Sequence, residues 1–110
     1  MKGFVRTSRK DIFDWTPLHY AAARQSGDMV NELLSNIHRP NVNARDIREQ
    51  TPLHYACRNP DTKIIYALLR AGADVNARAI DGLAPIHCAA MFECRPVVQL
   101  LIEAGADSDA

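Results

Sequence analysis

Apolar residues recur along this chain in doublets. Met29-Val30 and Leu33-Leu34 form one set, Ile64-Ile65 and Leu68-Leu69 a second, Val97-Val98 and Leu101-Ile102 a third. Within each set the spacing is i, i+1, i+4, i+5, which places all four side chains on one stripe of a helix. The first stripe predicts a helix over roughly 28–35. Ahead of each stripe stands a shorter run: TPLHYAA at 16–22, TPLHYAC at 51–57 and APIHCAA at 84–90. Each run reads as a short helix of its own. Proline suits a first helical position, where its missing N–H costs nothing. The preceding threonine, Thr16 or Thr51, is a helix cap that accepts from the first turn. Ala84 lacks that hydroxyl, an expected loss of about 0.5–2 kcal/mol if the hydroxyl caps the helix. Ala21 and Ala22 are small enough to let a neighbouring helix approach closely.

The runs begin 35 and then 33 residues apart. After each stripe the pattern continues in register. Gly72 and Gly105 suit the left-handed position that ends a helix. Val42-Asn43-Ala44 and Val75-Asn76-Ala77 leave in extended form, and Ser108-Asp109-Ala110 is a degraded third copy. The chain is expected to turn near 78–82 and come back to the next run. The first connection, 36–41, is two residues longer than its counterpart and has no glycine, so a bulge is expected there. In the second unit, Asn59-Pro60-Asp61 is expected to end one helix and start the next. Self-similarity at this period means a stack of repeated units, each contacting its neighbours, rather than one closed core.

The pattern of the three runs, the stripes and the Val-Asn segments resembles the ankyrin repeat over about 100 of the 110 residues. The resemblance implies an all-α solenoid of stacked helix-turn-helix units with β-hairpin-like connecting loops. The repeats fall at about 11–45, 46–78 and 79–110, after a basic lead-in over 1–10. Two departures stand out. The glycine usual between the paired helices is replaced by Gln25, Pro60 and Glu93, and proline cannot adopt a positive φ. Neither terminal repeat has the polar outer face of a cap, so the ends are expected to be marginal or to self-associate.

Composition narrows the function. Formal net charge is zero, without the basic excess of a nucleic-acid binder. The charge is nevertheless polarised: Lys2, Arg6, Arg9 and Lys10 face no acid in the first ten residues, and Glu103, Asp107 and Asp109 no base in the last ten. No stretch approaches the roughly 18 apolar residues of a membrane span. Three cysteines and no signal-peptide pattern favour a reducing cytoplasmic or nuclear compartment.

Candidate chemistry is sparse. His19, His54 and His87 recur at one motif position, a repeat apart, and nothing gathers two of them around one ion. The resemblance implies structural histidines that bond neighbouring loops. Cys57 takes an alanine position and reads as a small hydrophobe. Cys88 and Cys94 lack a zinc or redox spacing, and Cys94, near a helix junction, is a candidate for exposure. A Cys88–His87 pair lacks an orienting group and an oxyanion hole. No catalytic residue, metal site or cofactor is expected.

The resemblance implies a non-catalytic protein–protein interaction module whose partner meets the hairpin tips and the concave first-helix face. Those positions are Phe13, Trp15, Arg24, Arg45, Arg48, Gln50, Arg58, Arg78, Leu83, Met91 and Phe92. Aromatics and arginine are the types enriched at interface hot spots, and an acidic, partly apolar protein segment would suit them. The alternative is an ankyrin targeting or regulatory segment of a larger enzyme, such as a ubiquitin-ligase substrate receptor. The resemblance also implies that Asn76, with Leu68 eight residues and Asp74 two residues before it, is open to asparaginyl hydroxylation. Asn43 has Ser35 at the leucine position and does not qualify.

Overall fold

The computed structural model describes residues 14–35, 40–59 and 61–106. Phe13, the lead-in over 1–10, most of the first connection, Pro60 and Ser108-Asp109-Ala110 lie outside those residues. Among the described residues six helices follow one another: α1 (Pro17–Ala23), α2 (Gly27–Leu33), α3 (Pro52–Ala56), α4 (Thr62–Arg70), α5 (Pro85–Met91) and α6 (Arg95–Glu103). No strand occurs among the described residues. Each odd helix packs on the even helix after it, and like stacks on like: α1 on α3 on α5, and α2 on α4 on α6. The fold is therefore an all-α, two-layer array.

The stripes do the packing. Val30, Ile64, Ile65, Leu68, Val97 and Leu101 are enclosed together with Leu18, Leu53 and four alanines of the odd helices. Close approach of the odd helices rests on Ala21, Ala22, Ala56 and Ala89, none of which is exposed. Cys57 sits in this layer as expected, and burial pushes its thiol pKa upward. Cys94 is also buried, because its Sγ tucks back toward the Phe92 carbonyl at 3.6 Å.

The helix ends explain why the array tolerates odd residues. Each odd helix starts with its histidine reaching back: Nδ1 of His19, His54 and His87 accepts from the backbone N–H of Thr16, Thr51 and Ala84 at 3.1, 3.0 and 2.8 Å. His87 thus still satisfies the Ala84 N–H, although Ala84 has no hydroxyl to accept from the first turn of α5. The threonine hydroxyls meet the same ring nitrogen, at 2.9 Å for Thr16 and 3.0 Å for Thr51, while Thr16 Oγ1 accepts from His19 N at a long 3.4 Å.

At the other end, Gln25 and Glu93 take the left-handed conformation without being glycine, with φ of 58° and 57°. Ser26 N donates to Ala21 O, and Cys94 N to Ala89 O, which closes the helix in a Schellman turn in both repeats. Gly72 and Gly105 fill the left-handed position after α4 and α6, as the sequence predicts. Helix α4 begins two residues later than the Asn59-Pro60 pattern suggests. Asp61 is its N-cap, accepting from Lys63 N at 3.0 Å, while Asn59 Oδ1 accepts from Asp61 N. Asn59 thus closes a local turn one step before the helix, a competition typical of Asx side chains.

Candidate interaction surface

Between the repeats the chain forms fingers. Asp46 N donates to Gln50 O and Glu49 N to Asp46 O; Ala79 N to Leu83 O and Gly82 N to Ala79 O repeat the arrangement. Each is a tight hairpin whose last turn residue, Glu49 or Gly82, has positive φ. Ile80 N donates to Arg48 O, so adjacent fingers join through the backbone. Arg45 Nη1 donates to the Glu49 and Arg78 carbonyls, and Arg78 Nη1 to the Gly82 carbonyl. Behind the fingers, Asn43 Nδ2 donates to Gly72 O at 3.1 Å and Asn76 Nδ2 to Gly105 O at 3.3 Å.

The histidines hold the fingers from below. Because Nδ1 accepts from a backbone N–H, the ring proton is on Nε2, which donates to a carbonyl. His19 reaches Gln50 O at 2.8 Å and His54 reaches Leu83 O at 2.9 Å. Burial depresses the His54 pKa, more than its carbonyl partner raises it. These side chains are scaffold. Among the described residues no group of three His, Cys, Asp or Glu is placed to hold a metal ion.

Asp46 is the centre of the first finger. Its Oδ1 accepts from Arg48 N at 2.9 Å and Gln50 N at 2.8 Å. Its Oδ2 accepts from Trp15 Nε1 at 3.1 Å and, closely, from the Tyr55 hydroxyl. Burial raises the Asp46 carboxyl, but these donors more than reverse it, and the group stands below the ordinary carboxylate value. Tyr55 is pushed up to about 12 by burial and by its bond to Asp46. Trp15 and Tyr55 meet edge to face at 5.2 Å. The Arg58 guanidinium stacks over the opposite side of the cluster, 4.7 Å from the Tyr55 centroid, and donates to Gln50 Oε1 at 2.7 Å.

The residues the sequence singles out therefore divide. Trp15 is half-buried and bonded across the repeat boundary, Gln50 is buried, and Leu83 is half-buried with its carbonyl on His54. Arg24, Arg45, Arg48, Arg78, Met91 and Phe92 are exposed, Arg24 lying 5.3 Å from the Tyr20 ring. Arg58 is half-buried between two shallow neighbouring cavities. One, of about 310 Å³, lies against Trp15, Ile47 and Tyr55; the other, of about 130 Å³, against Asp81, Met91 and Phe92. Arg48 and Arg58 line both.

Three surface residues escape the sequence reading: Tyr20, Ile47 and Ile80, the last 69% exposed. Their signal was recurrence outside the stripes, since Ile47 and Ile80 are one repeat apart. Asp46 was missed as well, because its partners lie 31 residues away at Trp15 and 9 away at Tyr55.

Helix pairs of one period, stacked so that each touches only its neighbours and sends a finger to one side, define an open-ended repeat protein. The family described as ankyrin repeats, in three copies, matches over residues 2–79 and again over 18–110, and the chain belongs to that family. Its repeats are in general non-catalytic modules for protein–protein interaction. No curated protein matches the chain.

Proposed function

We propose that this domain binds a protein partner without catalysis, through its finger tips, the exposed side of α1 and α5, and Arg58 just after α3. The observation that supports this best is the run of Ile47, Arg48, Arg58, Ile80, Met91 and Phe92, which sets large exposed apolar side chains beside arginines on one surface. Arginine offers several donors on a planar group, and flexible methionine with aromatic rings contributes apolar area. An acidic segment with aliphatic or aromatic residues complements that mixture, and its approach is faster at low salt. Binding to an array of acidic, leucine-containing peptides tests this. Arg48→Glu together with Phe92→Ala should abolish binding, and Lys63→Glu on α4 should leave it unchanged. Loss of binding in the Lys63 variant alone would place the partner on the other layer.

Two further proposals follow from the same chain. The three buried free thiols suit a reducing cytoplasmic or nuclear compartment. Asn76 is exposed behind the second finger, and we propose it as the one site for an asparaginyl hydroxylase. An unchanged mass for the peptide 64–78 after incubation with such an enzyme would dismiss that site.

A further inference from the structure

Trp15, Gln50 and Leu83 hold the same place in the three repeats, and Gln50 is the one amide among them. It is nevertheless buried, at 7% exposed, and its amide oxygen accepts from Arg58 Nη2 at 2.7 Å. Arg58 Nε lies on the same edge of the guanidinium, enclosed and with no acceptor. That edge presents two parallel N–H groups, the arrangement a carboxylate takes with both of its oxygens. An amide has one oxygen and a nitrogen that donates. Gln50 therefore fills half of a two-donor edge and cannot fill the rest, and a buried donor left unmet is costly.

The Gln50–Arg58 bond stands between the two cavities of the finger surface. Arg48, Gln50 and Arg58 line both the one of about 310 Å³ and the one of about 130 Å³. The other polar groups around it leave the edge open. Asp46 has both oxygens committed, to two backbone amides, Trp15 and Tyr55. Asp81 is exposed and accepts from Leu83 N at 3.1 Å. His54 has both ring nitrogens in backbone bonds. Burial pushes the Cys88 thiol up, although Arg58 draws it down, so it offers no anion. Two arginines and two aspartates cancel in charge. The unfilled edge, and not net charge, is what selects a carboxylate here. Arg48 is exposed at the rim of both cavities and adds a second guanidinium.

We propose that Gln50 holds the place of a partner's carboxylate. The assignment rests on the finger surface being the binding face. A glutamate or aspartate side chain of the partner displaces the Gln50 amide, pairs with Arg58 through Nε and Nη2, and draws in Arg48. With the amide moved aside the partition opens, and an apolar side chain next to the acid enters the larger cavity against Trp15, Ile47 and Tyr55.

Calorimetric titration with acidic, leucine-containing peptides from the array tests this, with circular dichroism to confirm that each variant is folded. Changing the seated acid of a binding peptide to its amide should weaken binding about tenfold or more. Gln50→Glu should weaken it as much, because a carboxylate built into the chain takes the edge first. Gln50→Ala should bind at least as tightly as the wild type, because the competing oxygen is gone. The Arg58 Nε–H resonance of the wild-type chain should shift when peptide is added. A peptide that binds the Gln50→Glu variant as tightly as the wild type would overturn the subsite while the binding surface stands. So would a peptide that keeps its affinity when each acid in turn is changed to its amide. Loss of binding in the folded Gln50→Ala variant would make Gln50 a direct contact and overturn the displacement. An array with no binder for the wild-type chain would remove the surface and the subsite together.

Discussion

The two repeat boundaries have the same geometry and opposite chemistry. At the first, Trp15 of one repeat meets Asp46 and Tyr55 of the next. At the second, the positions of Trp15, Asp46 and Tyr55 are held by Gln50, Ala79 and Cys88. Both boundaries keep the histidine-to-carbonyl bond, the asparagine staple and the finger arginine. One therefore adds a buried carboxylate with four donors, and the other has a glutamine bonded to Arg58, an alanine and a buried thiol in its place. Stacking itself needs only the shared elements. The polar cluster at the first boundary fixes one orientation of the Trp15 ring, since an unmatched buried acceptor is costly.

Removing the carboxylate is the largest test of that contrast. Asp46→Ala leaves the Trp15 indole, the Tyr55 hydroxyl and two backbone amides without their acceptor. Hydrogen bonds to charged groups contribute about 1.5–3 kcal/mol each net of exchange with water, so a loss of at least about 3 kcal/mol is expected in urea unfolding. A loss under about 1 kcal/mol would mean that the shared elements alone carry the first boundary.

Next comes pH, which should loosen the boundaries at opposite ends of the scale. Tyr55 titrates near 10 when unfolded and at about 12 when folded. Between those values the unfolded chain has lost the proton that the native state keeps, so stability falls as pH rises above about 10. His54 stands below its ordinary 6.5 in the fold. Below that pH the unfolded chain takes up a proton that the native state resists, so stability falls as pH falls, by at most about 1.4 kcal/mol per pH unit for this group. Unfolding curves across pH, repeated for Tyr55→Phe and His54→Gln, should show each slope disappear with its own residue.

A smaller effect belongs to Arg58, which touches both boundaries. Arg58→Lys removes the bond to Gln50 and the flat stack on Tyr55. About 1 kcal/mol should be lost, in line with a single exposed cation–π contact and one neutral hydrogen bond partly replaced by water. Amide exchange would show whether the second finger loosens along with the first.

Glu93→Gly should act in the opposite direction. Glu93 holds φ at 57°, a conformation that costs a non-glycine residue roughly 1–2 kcal/mol, against the entropy glycine gives up on folding. A gain of about 0.5 kcal/mol is expected, measured as a shift in the thermal midpoint. Gln25→Gly should gain less, because Gln25 Nε2 donates to Ala22 O at 3.1 Å.

Much of the fold was legible because it is written in short-range terms. Stripe spacing, Pro17, Pro52 and Pro85 at helix starts, and Gly72 and Gly105 at helix ends each act within one or two turns. The start of α4 was misplaced because Asn59 and Asp61 both have capping side chains, and only the three-dimensional turn decides between them. The candidate surface was less legible. Aromatic and arginine content pointed to Trp15 and Arg58, but the contacts that turn Trp15 inward span 31 and 40 residues. No local pattern marks Gln50 as buried or Ile47 as outward. Burial in a finger is set by what the neighbouring repeat places against it.

The histidine bond has a consequence for how such a chain evolves. His19 and His54 grip backbone carbonyls, those of Gln50 and Leu83. A carbonyl is the same whatever side chain its residue carries. The tie that positions each finger therefore places no demand on the amino acid gripped, and glutamine and leucine satisfy it equally here. Mutation can rewrite the side chains beside each anchor while the anchor holds, so new partners can be sampled without renegotiating the architecture.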